Sequence, residues 1–198
     1  MRTGVFGGVF DPPHLGHLLV AGDARQRLSL ERVLFVPTFH PHHKAGAVAA
    51  FEDRLTMTRL AVKHWPGFEV SNIERKRDGP SYTVDTVAAL RRARPGDSLY
   101  LIVGADQYRD MKNWHRPREL GRLTRIAVMD RPGTRRPGVF KEHSPRRVRF
   151  LPVVQVDICS RDVRDRLAKR GSVRYMLPSA VSGYIERKRL YRNPRQED

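Results

Sequence analysis

Residues 4–17 read Gly-Val-Phe-Gly-Gly-Val-Phe-Asp-Pro-Pro-His-Leu-Gly-His, and this stretch decides the fold. A short apolar run ends in Gly7 and Gly8, a turn with two prolines follows, and an apolar-periodic segment begins at Leu18. This order predicts a buried strand, a glycine-rich loop and a helix. Glycines let a ligand phosphate approach the backbone closely, and the free N–H groups of a helix start attract it. The stretch therefore predicts a site for a polyphosphate.

Two histidines stand at the start of the predicted helix. His14 and His17 are three residues apart, so their imidazoles lie on one face of the first turn. A metal-binding pair or an accident of helix capping would also explain this spacing. Because the pair directly follows Gly7-Gly8 and Phe10-Asp11-Pro12, phosphate binding is the better interpretation.

Composition restricts the class of protein. The chain has 198 residues, of which 39% are hydrophobic, and it has one cysteine, Cys159. We expect one domain over residues 1–192 with a core of its own, and a polar tail at 193–198. A single cysteine allows no internal disulfide, the first residues contain no signal segment, and no apolar run reaches the ~20 residues that span a bilayer. We therefore expect a cytoplasmic protein that has no membrane partner.

The formal net charge is +17 at pH 7. Such a charge suggests a nucleic-acid partner. The basic residues are scattered in short clusters, however, and no helix-turn-helix, zinc-finger or RNA-recognition motif accompanies them. We expect no specific nucleic-acid partner, and interpret the charge as a solvated surface that also steers anionic substrates. The sequence leaves homo-oligomerisation open.

Apolar runs alternate with amphipathic segments along the chain. Predicted strands cover residues 4–6, 32–37, 68–73, 99–103, 125–129 and 148–151. Predicted helices cover residues 18–28, 52–64, 83–94, 118–122, 161–169 and 179–188, and the Pro-, Gly- and Arg-rich stretch 131–147 is expected to be a long surface loop. The alternation predicts an α/β fold: a Rossmann-like, doubly wound parallel sheet with helices on both faces and a small C-terminal helical part. Ligands of such sheets bind at the carboxyl ends of the strands.

The fourth predicted strand ends in Gly104-Ala105-Asp106. An acidic residue after a strand of a nucleotide-binding sheet often accepts hydrogen bonds from ribose hydroxyls. A helix N-cap is the alternative role for Asp106. With a phosphate motif on the first strand, we favour the ribose role, and Gly104 then permits close approach of the backbone to the ligand.

The motif Gly-Gly-x-Phe-Asp-Pro-x-His-x-Gly-His at 7–17 resembles that of the HxGH nucleotidylyltransferases. These enzymes transfer a nucleoside monophosphate from a triphosphate to a phosphorylated acceptor and release pyrophosphate. Nearly the whole chain is similar to one family among them, the nicotinate-nucleotide adenylyltransferases. The resemblance implies transfer of AMP from ATP, bound with Mg²⁺, to nicotinate mononucleotide in NAD biosynthesis. The alternatives are a related enzyme that uses nicotinamide mononucleotide or another phosphorylated acceptor and, more remotely, a basic nucleic-acid-binding protein.

The resemblance also implies the residues of the ATP site. They are Gly7, Gly8, Val9, Phe10, Asp11, His14, Gly16, His17, Gly104, Asp106, Ser160 and Arg164. Catalytic roles are implied for His14, His17, Lys44 and Arg164, which would bind the phosphate oxygens, and no dedicated metal site is implied. Three positions depart from the family pattern: Val9 and Cys159 replace hydroxyl residues, and Arg161 replaces threonine. We expect Cys159 to be a small buried hydrophobic residue.

Lys44 closes a loop that also contains His40, His42 and His43. Three histidines make a metal site conceivable, but a loop with this many prolines gives no fixed ligand geometry. The phosphate role of Lys44 is the one that the resemblance implies.

The pocket for nicotinate mononucleotide is implied by two further segments. The first, Ser-Tyr-Thr-Val-Asp-Thr at 81–86, enters a helix, where an anion is favoured. The second contains Trp114, which would stack on the pyridine ring, although tryptophan is more often a core residue. The implied contacts are Tyr82, Thr83, Thr86, Trp114 and His115, with Thr83 recognising the nicotinate carboxylate.

Overall fold

The computed structural model describes residues 1–41, 48–130, 137–154 and 156–192, apart from the side chain of Lys76. Within these residues six strands form one sheet in the order β3-β2-β1-β4-β5-β6. The strands are β1 (Arg2–Gly8), β2 (Arg32–Pro37), β3 (Phe68–Val70), β4 (Ser98–Gly104), β5 (Arg125–Asp130) and β6 (Val148–Pro152). Every neighbouring pair is parallel. The predicted doubly wound parallel sheet is thus confirmed.

The strand order reverses beside β1, which pairs with β2 on one side and β4 on the other. Gly8 is in register with Pro37 of β2, and Val5 is in register with Leu101 of β4. The carboxyl ends of these three strands therefore open on the same edge of the sheet. Open α/β sheets bind their ligands at such a switch point.

Helices cover both faces of this sheet, as predicted. They are α1 (Leu15–Arg27), α2 (Phe51–Val62), α3 (Thr83–Ala93), α4 (Ala105–Asp110), α5 (Pro117–Leu123), α6 (Ser160–Ala168) and α7 (Ser179–Lys188). Side chains alternate across β2, because Phe35 belongs to one buried cluster and Leu34 to the other. The Phe35 cluster includes residues of α1, α2, α6 and α7, and the Leu34 cluster includes residues of α3, α4 and α5. The C-terminal helices α6 and α7 form the expected helical part.

Several predicted boundaries differ from the structure. Helix α1 begins at Leu15 rather than at Leu18, so it starts directly after His14. Strand β3 ends at Val70, and the residues predicted to continue it lead into a 3-10 turn at Ile73–Lys76. The sequence prediction missed α4, whose six residues include only two buried positions, too few for a periodic pattern.

Two predictions fall partly or wholly outside the described residues. Of the expected loop 131–147, the structure describes 137–147, where a 3-10 turn covers Pro145–Arg147. The tail 193–198 lies outside the described residues. In the part of the chain that is described, no helix is both long enough and apolar enough to cross a membrane.

Candidate active site

The two histidines of the first motif stack on each other at the start of α1. His14 is the residue before the helix, and His17 lies in its first turn. Their ring centroids are 3.6 Å apart with 29° between the ring planes. The backbone N–H of His14 donates to Nδ1 of His17 at 3.1 Å. Because this bond occupies Nδ1 as an acceptor, the ring proton of neutral His17 lies on Nε2.

Both rings are held uncharged by their surroundings. Burial lowers the pKa of His14 from 6.5 to about 4. Burial, with the neighbouring His14, lowers the pKa of His17 well below its usual value. The ring of His17 also packs edge-on against Phe10, with centroids 5.0 Å apart. Near neutral pH the site therefore offers two neutral imidazoles, each able to donate one hydrogen bond to a phosphate oxygen.

Two glycines leave the room that this arrangement requires. A Cβ at Gly16 would lie 3.0 Å from Nδ1 of His14, so a side chain there would press on the imidazole. Gly7 is exposed at the end of β1, and a Cβ there would meet nothing within 4 Å. The face of Gly7 is thus open to a ligand.

The segment at residues 7–13, which we call the glycine turn, is held by a buried arginine, Arg54 of α2. This arginine is 1% exposed. Its Nη1 donates to the carbonyls of Val9 and Thr38, both at 2.8 Å, and its Nε donates to the carbonyl of Ala49 at 3.2 Å. Arg54 therefore ties the segment after β1 to the segment after β2. Its role was not predicted from the sequence, although a cation at an inward-facing position of a predicted helix was a signal for it.

Phe10 and Asp11 lie within the turn with their side chains buried, at 2% and 3% exposure. The Asp11 carboxylate accepts from the backbone N–H groups of Val48 and Ala49, at 2.7 and 3.2 Å. These side chains shape the turn from inside. Any contact of Phe10 or Asp11 with ATP would therefore come through the backbone.

The start of α6 meets the same turn. Ser160 donates from Oγ to the carbonyl of Pro12 at 2.9 Å, and Arg164 donates from Nη1 to the carbonyl of Asp11 at 2.7 Å. The structure thus brings Ser160 and Arg164 to the histidine motif, 140 residues or more away along the chain. The expectation of a buried Cys159 is wrong. Cys159 is exposed, and its Sγ accepts from the N–H of Asp162 at 3.5 Å because it occupies the N-cap position of α6.

At the end of β4, Gly104 is followed by α4, with Asp106 in its first turn. Asp106 is exposed and is not the N-cap residue, which is Gly104. A Cβ at Gly104 would collide with Oδ1 of Asp106. The carboxylate therefore lies back over the carboxyl end of the strand, at the switch point of the sheet.

The residues expected to hold the acceptor lie around the start of α3. Tyr82 precedes the helix, and its ring stacks on His115 at a centroid distance of 4.2 Å. Trp114 is half-buried and packs against the Leu34 cluster. Arg116 pairs with Asp85 of α3 and joins the two segments.

Thr86 is buried within this region rather than facing an open pocket. It is 3% exposed, and its Oγ1 donates to Oε1 of Glu74 at 2.7 Å and accepts from Nη2 of Arg77 at 2.8 Å. Glu74 also accepts from the N–H of Phe39, at 3.1 Å, in the segment after β2. Thr86 and Glu74 therefore hold α3 against the loop that follows β2. Of the two, Glu74 was not predicted from the sequence.

Lys44, with His42 and His43, lies outside the described residues. Val9 contributes a backbone carbonyl to Arg54 and no side-chain donor. Among the residues for which the structure gives positions, no group of three or more His, Cys, Asp or Glu is placed to hold a metal ion.

A separate cavity of about 520 Å³ lies beside α5. It is lined by Lys112, Arg116, Pro117, Arg118, Glu119, Arg122, Phe140, Glu142 and His143. Both ring nitrogens of His143 are already bonded, to the hydroxyl of Tyr108 at 3.2 Å and to the carbonyl of Pro117 at 3.1 Å. The cavity shares no residue with the histidine motif.

Comparison with known proteins shows the family to which the chain belongs. A model of the cytidylyltransferase-like family matches residues 5–166. The chain is 49% identical over 192 residues to a probable nicotinate-nucleotide adenylyltransferase of Thermus thermophilus, with 97% of this chain and 100% of that protein covered. It is 41% identical over 191 residues to a protein of the same description from Geobacillus thermodenitrificans, with 96% and 86% covered.

Two solved structures of the nicotinic acid mononucleotide adenylyltransferase of Plasmodium falciparum share the fold. One is complexed with APC and the other with NaAD, and their TM-scores are 0.77 and 0.79. The alignments cover 96% of this chain and 96% and 97% of the two structures, at 16% sequence identity. At this identity the likeness shows the fold alone.

Proposed function

Because the chain belongs to the cytidylyltransferase-like family and, by its full-length relatives, to the nicotinate-nucleotide adenylyltransferases, we propose that it transfers AMP from ATP to nicotinate mononucleotide. The products are nicotinate adenine dinucleotide and pyrophosphate, and the reaction belongs to NAD biosynthesis. One observation in the structure carries the proposal. The stacked His14 and His17 stand at the start of α1, against the turn to which α6 also brings Arg164.

The reaction needs no nucleophilic side chain. An oxygen of the acceptor 5′-phosphate attacks the α-phosphorus of ATP, and the bond from that phosphorus to the oxygen bridging to the β-phosphorus breaks. Both partners are anions, so catalysis consists of holding them in line and stabilising the charge that develops on the phosphate oxygens. Because the acceptor phosphate is the attacking group, Cys159 is not required as a nucleophile, and its Sγ accepts from the N–H of Asp162 at the start of α6.

The histidines supply part of that stabilisation. His17 donates from Nε2, since Nδ1 accepts from the backbone of His14. The donor is neutral before ATP binds, because its pKa is lowered. A fixed neutral donor in a buried site stabilises developing charge without first losing water of its own. We assign His14 and His17 to the α- and β-phosphates.

Arg164 and Lys44 would neutralise the leaving pyrophosphate. The planar guanidinium of Arg164 suits a phosphate group, and its bond to the Asp11 carbonyl fixes its position. The role of Lys44 rests on the sequence resemblance. Around these side chains, we propose that backbone and short side-chain groups complete the ATP site at Gly7, Gly8, Val9, Phe10, Asp11, Gly16, Gly104, Asp106 and Ser160.

Mg²⁺ is proposed to enter with ATP. The carboxylate of Asp11 in the turn is buried and already accepts three hydrogen bonds, and the site side chains beside it are the imidazoles of His14 and His17 and the guanidinium of Arg164. Mg²⁺ prefers oxygen ligands and keeps several waters. The phosphates would therefore hold the ion, and it would neutralise part of their charge.

The acceptor is proposed to lie between α3 and the segment of Trp114. Thr83 is the first residue of α3, an eleven-residue helix, so a carboxylate there meets unpaired backbone N–H groups. Tyr82, stacked on His115, and the half-buried Trp114 offer aromatic surfaces for the pyridine ring. Thr86 supports this helix from behind.

We place the reaction in the cytoplasm.

The test is a balanced product assay on the purified full-length chain. With ATP, Mg²⁺ and nicotinate mononucleotide together, we expect pyrophosphate and the dinucleotide to appear in equal amounts. Leaving out either nucleotide should abolish both products. Release of phosphate or pyrophosphate without the dinucleotide would contradict the proposal.

A further inference from the structure

The carboxylate of Asp11 joins three parts of the chain. It is 3% exposed. It accepts from the N–H groups of Val48 and Ala49, and its Oδ1 also accepts from the hydroxyl of Tyr191 at 2.6 Å. Val48 and Ala49 follow the segment that contains Lys44, while Tyr191 comes from the C-terminal end. One buried charge therefore links the glycine turn, the chain after Lys44 and the C-terminus.

The C-terminal chain turns back to make this contact. Helix α7 ends at Lys188, and Arg189 and Tyr191 then adopt left-handed φ angles of +52° and +63°. Non-glycine residues rarely take this conformation, because it costs free energy. It persists where contacts with the surrounding structure offset that cost. Burial and the adjacent Asp11 carboxylate raise the pKa of Tyr191, so its hydroxyl stays protonated and remains a donor.

Arg164 lies beside the same carboxylate. Its Nη1 is 4.0 Å from Oδ2 of Asp11 while it donates to the carbonyl of that residue at 2.7 Å. Without the hydroxyl of Tyr191, Oδ1 would lose its shortest hydrogen bond. Arg54 is also near Asp11 but is held by three backbone carbonyls, so Arg164 is the cation that could take the place of the hydroxyl. A direct ion pair with Asp11 would draw the guanidinium away from a phosphate.

We propose that Tyr191 is a positioning residue for the triphosphate. Its hydroxyl donates to the Asp11 carboxylate, so that Asp11 fixes the glycine turn and Arg164 remains directed at ATP. This inference rests on the proposed function of the same site. Tyr191 itself touches no reacting atom. Its removal should therefore affect the binding of ATP and leave the binding of the acceptor unchanged.

The test is Tyr191→Phe, which removes the hydroxyl and keeps the ring. Tyr184→Phe is the matched control, because Tyr184 of α7 also donates its hydroxyl to a carboxylate, that of Asp53, at 2.7 Å. We expect Tyr191→Phe to raise the KM for ATP about tenfold, as befits the loss of a hydrogen bond to a charged group. The KM for the acceptor should stay within about twofold, and Tyr184→Phe should change neither KM beyond that.

Two further measurements separate the outcomes. The melting temperature of each variant shows whether the effect follows stability, and equilibrium titration with ATP measures binding without turnover. A KM and Kd for ATP unchanged in Tyr191→Phe would overturn the inference. So would a rise in both substrates' KM values that Tyr184→Phe reproduces. If the unaltered chain makes no dinucleotide, the proposed function fails, and the ATP titration still decides the role of Tyr191.

Discussion

His17 performs its proposed role through a hydrogen bond that the sequence pattern does not reveal. The spacing of His14 and His17 placed both imidazoles on one face, and the structure stacks them at 3.6 Å. The bond from the His14 backbone to Nδ1 of His17 then leaves Nε2 as the ring nitrogen that can donate. A donor fixed in this way can distinguish the transition state from bound ATP, because charge grows on the oxygen it contacts.

We predict that His17→Ala lowers kcat by about 100- to 1000-fold, the usual cost of losing one preorganised donor to a developing oxyanion. The fold should survive, since no other part of the chain depends on the His17 side chain for a described hydrogen bond apart from the His14 backbone. Steady-state kinetics and circular dichroism check both statements. His64→Ala, at an exposed position, is the control. A normal kcat in His17→Ala would remove the histidine from the mechanism.

The buried His14 predicts how stability depends on pH. Its pKa is about 4 in the folded protein, against 6.5 for an unperturbed histidine. Between these pH values the unfolded chain binds the His14 proton more tightly than the folded protein does. The contribution of His14 to the free energy of unfolding is therefore present above pH 6.5 and is lost as the pH falls toward 4.

Urea denaturation at pH 7 and pH 5 measures this contribution. The unaltered chain should lose about 2 kcal/mol more of its free energy of unfolding than His14→Gln, which cannot take up the proton. Equal losses in the two proteins would show that the folded His14 titrates normally.

At the scale of elements, the site depends on how α2 and α6 are attached to the ends of the strands. Arg54 of α2 donates to two backbone carbonyls beside β1 and β2, those of Val9 and Thr38, and to the carbonyl of Ala49 just before its own helix. A planar guanidinium can serve three acceptors at once, whereas an ammonium group on a single flexible stem cannot reach all of them in this geometry. Arg54 thus acts as a structural support of the glycine turn.

Arg54→Lys should therefore destabilise the protein although it keeps the charge. Leaving a buried carbonyl without its donor costs about 1–3 kcal/mol, and we expect a loss of about 3 kcal/mol in the free energy of unfolding. Arg59→Lys, on the exposed side of the same helix, should change it by less than about 0.5 kcal/mol. Chemical denaturation of the two variants makes the comparison. Equal stability would mean that Arg54 is replaceable.

Elements with strong periodicity could be predicted from the sequence, and those shaped by tertiary contacts could not. The apolar runs of β1, β2 and β4 predicted their positions because both faces of a parallel sheet are buried. Helix α4 has too few buried residues to give a periodic pattern. Helix α1 begins at Leu15 rather than at the predicted residue 18, because the chain is already helical directly after the N-cap residue His14. Cys159 looked like a core residue by type, but the N-cap of α6 places it at the surface.

The residues of the candidate site likewise fall into those that could be predicted from the sequence and those that could not. Local motifs indicated His14, His17 and Asp106, since each follows, within about nine residues, a strand that ends in glycine. Arg54 and Tyr191 act on residues 45 and 180 positions away, and such contacts leave no local pattern. Their roles could be identified only after the fold brought the segments together.

The whole molecule carries a net charge of +17 at pH 7, and both proposed substrates are anions. A positive field raises the rate of encounter with an anion and is screened by salt, with a Debye length of about 10 Å at 0.1 M. Chemistry between bound groups is screened much less. The net charge of the molecule should therefore affect kcat/KM, which includes the encounter with substrate, rather than kcat.

We predict that kcat/KM for ATP falls about tenfold when the salt concentration rises from about 0.05 M to about 0.5 M, while kcat changes by less than about twofold. Mg²⁺ must be kept in excess throughout. A fall in kcat with an unchanged KM would indicate that salt disturbs the site itself rather than the encounter.

The measurement that tests the account most directly compares two acceptors in the same assay. Pyrophosphate release from ATP and Mg²⁺ is followed with nicotinate mononucleotide and, separately, with nicotinamide mononucleotide. A carboxylate at the start of α3 should be favoured over an amide, and we expect kcat/KM to be higher for the nicotinate form by about a hundredfold. Release with neither acceptor, or a preference for the amide, would contradict the assignment of this pocket and of the reaction.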